Sequence, residues 1–140
     1  MCGIIGYAGT KNAHGVLIDG LKALEYRGYD SSGLAVFTQG KINTVKAQGK
    51  IKNLEALLKE DTGTCGIAHT RWATHGEANV VNAHPHTIGM VTLVHNGIIE
   101  NANELRQTYQ QKGIVFASDT DTETIAALIN DFVSQGMNKI

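Results

Sequence analysis

The sequence predicts a single α+β domain built of stacked antiparallel sheet and helix layers. Three observations predict it. The chain has 140 residues, about one domain by the usual length relation. Hydrophobic residues make up 42% and charged residues 18%, which favours a packed core over a disordered or fibrous chain. Strand-like and helix-like segments follow one another in runs rather than in strict β-α-β alternation. That order argues against a doubly wound parallel sheet.

The elements follow in order. Ile4 to Ala8 reads as a short buried strand after a small-residue start. Val16, Leu17, Leu21 and Leu24 recur at helical spacing and predict an amphipathic helix over Asn12 to Glu25. Arg27 to Gly33 is a polar, glycine-bounded loop. Leu34 to Thr38 and Ile42 to Ala47 flank Gln39-Gly40-Lys41 and predict a hairpin. Leu54, Leu57 and Leu58 predict a short helix over Lys52 to Lys59, and Thr64 to Thr70 a strand. Arg71 to Ile88 is polar and aperiodic, a loop long enough to carry function. Met90 to His95 is a β-prone run. A helix is predicted over Asn101 to Gln111 with Gly113 as its C-cap. Ile114 to Ala117 reads as a brief strand. Thr120-Asp121-Thr122-Glu123 matches a capping box opening a last helix through Ile129.

Composition narrows the function classes. Lys and Arg total 12 against 13 Asp and Glu, a net charge of -1, so charge balance points to no nucleic-acid partner. No apolar run approaches the ~18 residues of a membrane helix. The start lacks the charged n-region of a signal peptide. The expectation is a cytoplasmic chain whose Cys2 and Cys65 stay reduced.

Cys2 is the first candidate for chemistry. Removal of Met1 before a small residue would leave Cys2 with a free α-amine, whose reference pKa is ~7.7–8.0. Nucleophile and base would then sit in one residue. Retention of Met1 would make that nitrogen a peptide amide and remove the base. Cys65 reads as an inert small core residue. His69, His75, His84, His86 and His95 crowd one stretch, but their spacing matches no compact zinc signature, so structural or hydrogen-bonding roles are expected and no metal. Arg71 at a strand end can clamp a carboxylate through its planar fork, or form a surface ion pair with Trp72 filling the core. Asn96-Gly97 is either a hairpin turn or a pair of oxyanion donors. Asp121 either favours a helix dipole or binds an ammonium group.

Six segments occur in one order. They are Cys2 to Gly6, Leu24 to Ser31, His69 to Gly76, Asn82 to His86, Val94 to Asn101 and Ser118 to Glu123. Together they resemble the glutaminase domain of the glutamine–fructose-6-phosphate aminotransferase (isomerizing) family, the glucosamine-6-phosphate synthases. The resemblance covers essentially the whole chain. It implies a four-layer αββα N-terminal-nucleophile hydrolase fold and a glutamine amidotransferase activity without cofactor. It implies Cys2 as nucleophile with its own amine as base, and Asn96 and the Gly97 N–H as oxyanion hole. Arg71 would hold the α-carboxylate of L-glutamine and Asp121 its α-ammonium. Trp72, Thr74 and His75 would form a loop over the substrate, and Arg27 would support the terminus.

Two departures from the family carry expectations. Its glutaminase domain is longer, so this class II amidotransferase domain, residues 1–140, is expected to be incomplete. Its sugar-phosphate isomerase domain is absent, so ammonia transfer to fructose-6-phosphate is expected only in a full-length enzyme. Open sheet edges would invite pairing with another copy, so a homo-oligomer is a possible state. The alternative to an enzyme domain is a catalytically inactive fragment serving only as a folded or oligomerising module.

Overall fold

The computed structural model describes residues 1–74 and 76–137. The elements run β1 (Gly3–Ala8), α1 (Ala13–Ala23), a 3-10 turn (Glu25–Arg27), β2 (Ser31–Thr38), β3 (Lys41–Gln48), α2 (Ile51–Leu57) and β4 (Cys65–Arg71). They continue with β5 (His86–Ile88), β6 (Val91–Leu93), α3 (Ala102–Gln111) and α4 (Thr122–Ser134).

The first sheet has the order β1-β4-β2-β3, antiparallel throughout, and the second pairs β5 with β6. α1 and α2 pack on the first sheet; α4 packs on the second, and α3 packs against α4. The predicted helix and sheet layering is therefore present. The β2–β3 hairpin turns on Gln39 and Gly40, both at positive φ (50° and 79°). That is the twist a two-residue turn needs, so Lys41 belongs to β3 and not to the loop.

Period-two alternation in the first sheet positions the site. Leu34, Val36, Val45, Ala47 and Ala68 turn to one face and join Leu17, Leu21, Ile51 and Leu54 in the larger core cluster. Each fully buried Leu or Ile there contributes about 1.5–3 kcal/mol of burial. Asn12 caps α1 by accepting the His14 N–H at 3.0 Å. Residues of the other parity, Gly33, Lys46, His69 and Arg71, look toward the second sheet. Around Gly33, His69 and Arg71 that face is covered, while Phe37 and Ile42 at its other end are exposed. A Cβ on Gly33 would lie 2.1 Å from the His84 carbonyl oxygen, so only glycine lets the segment before β5 approach β2 so closely. Lys46 reaches the Val81 carbonyl at 3.4 Å, and burial lowers its pKa to about 8.

Four expectations are corrected. The segment Arg71 to Ile88 is not all loop, because residues 86–88 pair with β6 and Thr87 bonds Thr92 at 2.9 Å. β6 ends at Leu93 rather than His95, since the His95 carbonyl turns to the His69 ring instead of a ladder partner. Residues 114–117 form no strand. The Ala117 and Ser118 amides donate to the Glu123 carboxylate, both at 2.8 Å, and Ile114 and Phe116 pack on the second core cluster. The capping box does not form either. α4 starts at Thr122, and Glu123 holds the preceding loop while Thr120 Oγ1 bonds Ser118 Oγ and His86 Nε2, each at 2.9 Å. Gly113 follows α3 at φ 88° as expected.

Candidate active site

β1 and β4 are antiparallel neighbours, with Gly3 opposite Thr70 and Ile4 opposite His69. This register brings the N-terminus alongside the end of β4. The half-buried Cys2 Sγ accepts the Trp72 N–H at 3.2 Å. The amine of Met1 donates to the Arg27 and Gly28 carbonyls at 2.8 and 3.1 Å. Gly28, at φ 76°, lies under the half-exposed Trp72 ring, where a Cβ would come within 3.3 Å. Asp30 ties the same loop to the segment after β4, because its Oδ2 accepts the Ala73 N–H at 2.6 Å.

Opposite the cysteine stand residues carried by the second sheet and its helix. The stretch after β6 delivers His95, Asn96, Gly97 and Ile98. Asn96 Oδ1 lies 2.7 Å from His69 Nε2, and Gly97 takes φ 145°. Asp121, at the start of α4, is buried and accepts the Ile99 N–H through Oδ2 at 2.8 Å. Its loop is braced by Arg106, which donates to the Ser118 and Thr120 carbonyls at 3.1 and 2.8 Å and stacks on Phe116.

These groups enclose a cleft of about 680 Å³. Cys2, Arg27, Arg71, Trp72, Thr74, Asn96, Gly97 and Asp121 all line it. Eight of the nine candidate residues therefore share one cavity. The ninth, His75, lies outside the described residues. Arg71 is buried, and its Nη1 and Nη2 donate to the Glu77 and Gly76 carbonyls at 3.0 and 3.3 Å. The exposed ion-pair reading of Arg71 is thus corrected, and so is the reading of Trp72 as core filler. Asn96-Gly97 is not a hairpin turn, for the chain runs on to α3. Cys65 is exposed at the start of β4 and is not a core residue.

Three histidines form the cleft's inner wall and its support. His69 and His84 stack with ring centroids 4.2 Å apart, and His84 meets His86 edge-on at 4.6 Å. Burial is the main cause that lowers all three pKa values, to about 4 for His69 and about 3 for His86, with His84 lower still. All three are neutral at pH 7. Sequence reasoning placed them as hydrogen-bonding histidines but did not see that His69 touches Asn96. Asp30 was missed as well, since nothing in its spacing distinguishes it from other loop carboxylates.

Stacked antiparallel sheets with a cysteine next to the N-terminus at their shared cleft define an N-terminal-nucleophile hydrolase of the amidotransferase kind. Residues 52–140 match the family described as "Glutamine amidotransferase domain", and the chain belongs to that family. It is 58% identical over 139 residues to a glutamine–fructose-6-phosphate aminotransferase (isomerizing) of Caulobacter vibrioides, covering 98% of this chain and 23% of that protein. The enzyme of the same description from Pyrococcus horikoshii is 56% identical over 135 residues, covering 94% and 23%. The chain thus spans less than a quarter of these relatives. Among solved structures, the glutamine phosphoribosylpyrophosphate amidotransferase of B. subtilis, complexed with ADP and GMP, superposes with a TM-score of 0.76 at 28% identity. That match covers 93% of this chain and 29% of the other. An allosteric regulatory enzyme of purine biosynthesis gives 0.78 at 29% identity, with the same coverage. Among the described residues no helix is long and apolar enough to cross a membrane.

Proposed function

We propose that this domain hydrolyses L-glutamine to glutamate and ammonia through a γ-glutamyl thioester on Cys2. The observation that carries the reading is the shared cleft. A thiol, a buried guanidinium, a buried carboxylate and an Asn-Gly pair face one volume large enough for an amino acid. A free amino acid needs one cation and one anion at fixed separation. Arg71 takes the α-carboxylate and Asp121 the α-ammonium, which discriminates against peptide-bound glutamine.

The chemistry then balances. With Met1 removed, the Cys2 amine accepts the thiol proton, directly or through a water. The sulfur attacks the side-chain amide carbon. The negative charge passes to the amide oxygen, stabilised by the Asn96 amide and the Gly97 N–H. The amide nitrogen takes the proton back from the Cys2 ammonium and departs as ammonia, which leaves the thioester. Water then gives a proton to the freed Cys2 amine as it attacks the thioester carbon, and the sulfur takes that proton as it is displaced and glutamate departs. Trp72, Thr74 and His75 serve as the loop over glutamine, and the Arg27 and Gly28 carbonyls as acceptors near the terminus.

In the full-length protein we assign the ammonia to the conversion of fructose-6-phosphate into glucosamine-6-phosphate, in the cytoplasm, with an isomerase domain as the partner. The likeness to the aminotransferases named above supports this. The test is glutamate release by the purified full-length protein given glutamine, with glucosamine-6-phosphate measured when fructose-6-phosphate is added. Glutamate without amino sugar would retain the glutaminase and remove the acceptor. No glutamate from a chain shown by mass to begin at Cys2 would remove both.

A further inference from the structure

We propose that His69 is the positioning residue that sets the orientation of the Asn96 amide, with its Nε2–H tautomer fixed by the His95 carbonyl. This rests on the reading of Asn96 as an oxyanion donor and adds a residue to it.

Two atoms converge on His69 Nε2. One is the His95 carbonyl oxygen at 3.2 Å, the other Asn96 Oδ1 at 2.7 Å. A backbone carbonyl can only accept. Nε2 must therefore carry the proton, because a bare nitrogen lone pair would face an oxygen lone pair. A donor at Nε2 in turn admits only the oxygen of the Asn96 side chain at 2.7 Å. The NH2 group is thereby turned away from His69. The backbone oxygen thus decides the tautomer, and the tautomer decides which end of an otherwise ambiguous amide points where.

The rest of the ring's surroundings agree. Nδ1 of His69 is buried and has no hydrogen-bond partner among the described residues, as suits the unprotonated nitrogen of that tautomer. Burial lowers the pKa to about 4 and keeps the ring neutral, so no second proton competes. One face of the ring lies on His84, with 19° between the planes. His84 Nε2 in turn bonds Thr122 Oγ1 at 2.9 Å, at the first residue of α4. The donor is thus held by both halves of the fold. His69 itself also lines the cleft, but the role assigned here is exerted through Asn96. Without the His69 donor, the Asn96 amide could rotate and present its oxygen to the developing negative charge.

Two arms test this in the full-length protein. The first reads the tautomer, independent of any substrate. Long-range proton–nitrogen correlation on histidine-labelled protein at neutral pH should find His69 neutral with the proton on Nε2. The Asn96 side-chain amide signals should move in His69→Gln. An Nδ1–H ring, an imidazolium, or unmoved Asn96 signals would overturn the proposal. The second arm reads kinetics. His69→Leu should lower kcat by ~10²-fold, the scale of one lost oxyanion donor, with the glutamine KM changed less than about threefold. In an Asn96→Ala background the same substitution should cost less than about threefold, since interacting sites are non-additive. Equal losses in both backgrounds, or an effect confined to KM, would overturn it. If His69→Leu does not fold, His69→Gln replaces it in the cycle and should show the same coupling at smaller amplitude. A wild-type protein that releases no glutamate would instead sink the glutaminase reading, and the first arm would still decide the His69–Asn96 relationship.

Discussion

Asp121 Oδ2 accepts the Ile99 amide hydrogen at 2.8 Å. One bond therefore joins the start of α4 to the backbone two residues beyond Gly97. The proposed ammonium site and the proposed oxyanion donors are held at a fixed separation by it. A carboxylate that must both bind charge and accept a backbone N–H can be dissected. Asp121→Asn keeps an acceptor for Ile99 and loses the charge. It should raise the glutamine KM by an amount worth about 1.5–3 kcal/mol, as for a hydrogen bond to a charged group, with little change in thermal midpoint. Asp121→Ala should lower both binding and thermal midpoint. Identical behaviour of the two variants would show that the charge is not used.

Arg71 has two duties. Its guanidinium holds the Glu77 and Gly76 carbonyls at 3.0 and 3.3 Å and is assigned the substrate carboxylate. Lysine keeps the charge but lacks the planar fork. Arg71→Lys should therefore raise the glutamine KM by an amount worth about 1–3 kcal/mol and loosen residues 76–77. Steady-state kinetics beside amide hydrogen exchange of that loop would check it. An unchanged KM would remove Arg71 as the carboxylate clamp.

The two cysteines should separate by reagent. Cys65 is exposed and Cys2 half-buried, so a small alkylating agent should modify Cys65 readily. An electrophilic glutamine analogue should label Cys2 instead, and excess glutamine should protect it. Peptide mapping reads both outcomes. Analogue labelling of Cys65 at a rate equal to Cys2 would contradict the assignment of the nucleophile.

Gly33 should be intolerant of any side chain. A methyl group there meets the His84 backbone oxygen, for a Cβ would lie 2.1 Å away, and backbone cannot swing aside as a side chain can. Overpacking of this kind typically costs 1–3 kcal/mol. Gly33→Ala should lower the thermal midpoint measurably, and should slow turnover by shifting His84 and the His69 ring stacked on it. A variant as stable and active as the parent would show that the sheets separate easily.

Acid should destabilise the domain through its inner histidines. Burial lowers the folded pKa of His69 to about 4 and of His86 to about 3, against the ordinary 6.5 of an imidazole. The unfolded chain therefore takes up protons first as pH falls. The stabilising contribution is complete above about pH 6.5 and is lost as pH drops through the folded values. Each ring contributes up to ~1.4 kcal/mol per pH unit within that window. Asp61 and Asp131 also have lowered pKa values, caused first by hydrogen bonds from Thr38 and Lys112. Their contributions fade only below the ordinary aspartate value of 3.8. Urea unfolding between about pH 7 and pH 4.5 should thus show falling stability. A flat profile over that range would mean that the rings are hydrated.

Local pattern alone determined much of this protein. Leu17 and Leu21 at helical spacing, the hairpin around Gly40, and Gly113 closing α3 are properties of neighbouring residues, so a reader of the chain can place them. For Cys2, Arg71, Asn96 and Asp121 local pattern left alternatives open, and it was the resemblance of the ordered segments to a known family that pointed to residues now found lining the cleft. Tertiary structure decided what depends on long-range competition for hydrogen bonds. The amides of Ala117 and Ser118 went to Glu123, so no strand formed at 114–117 and no capping box formed at Thr120. The His95 carbonyl went to His69, so β6 stopped short. Cys65 was misjudged because exposure of a strand's first residue depends on which layers cover its edge. His69 became a candidate for positioning only when β4 and the stretch after β6 met. A donor and an acceptor 27 residues apart leave no periodic trace in a sequence; only the packing of two sheets brings them within bonding distance.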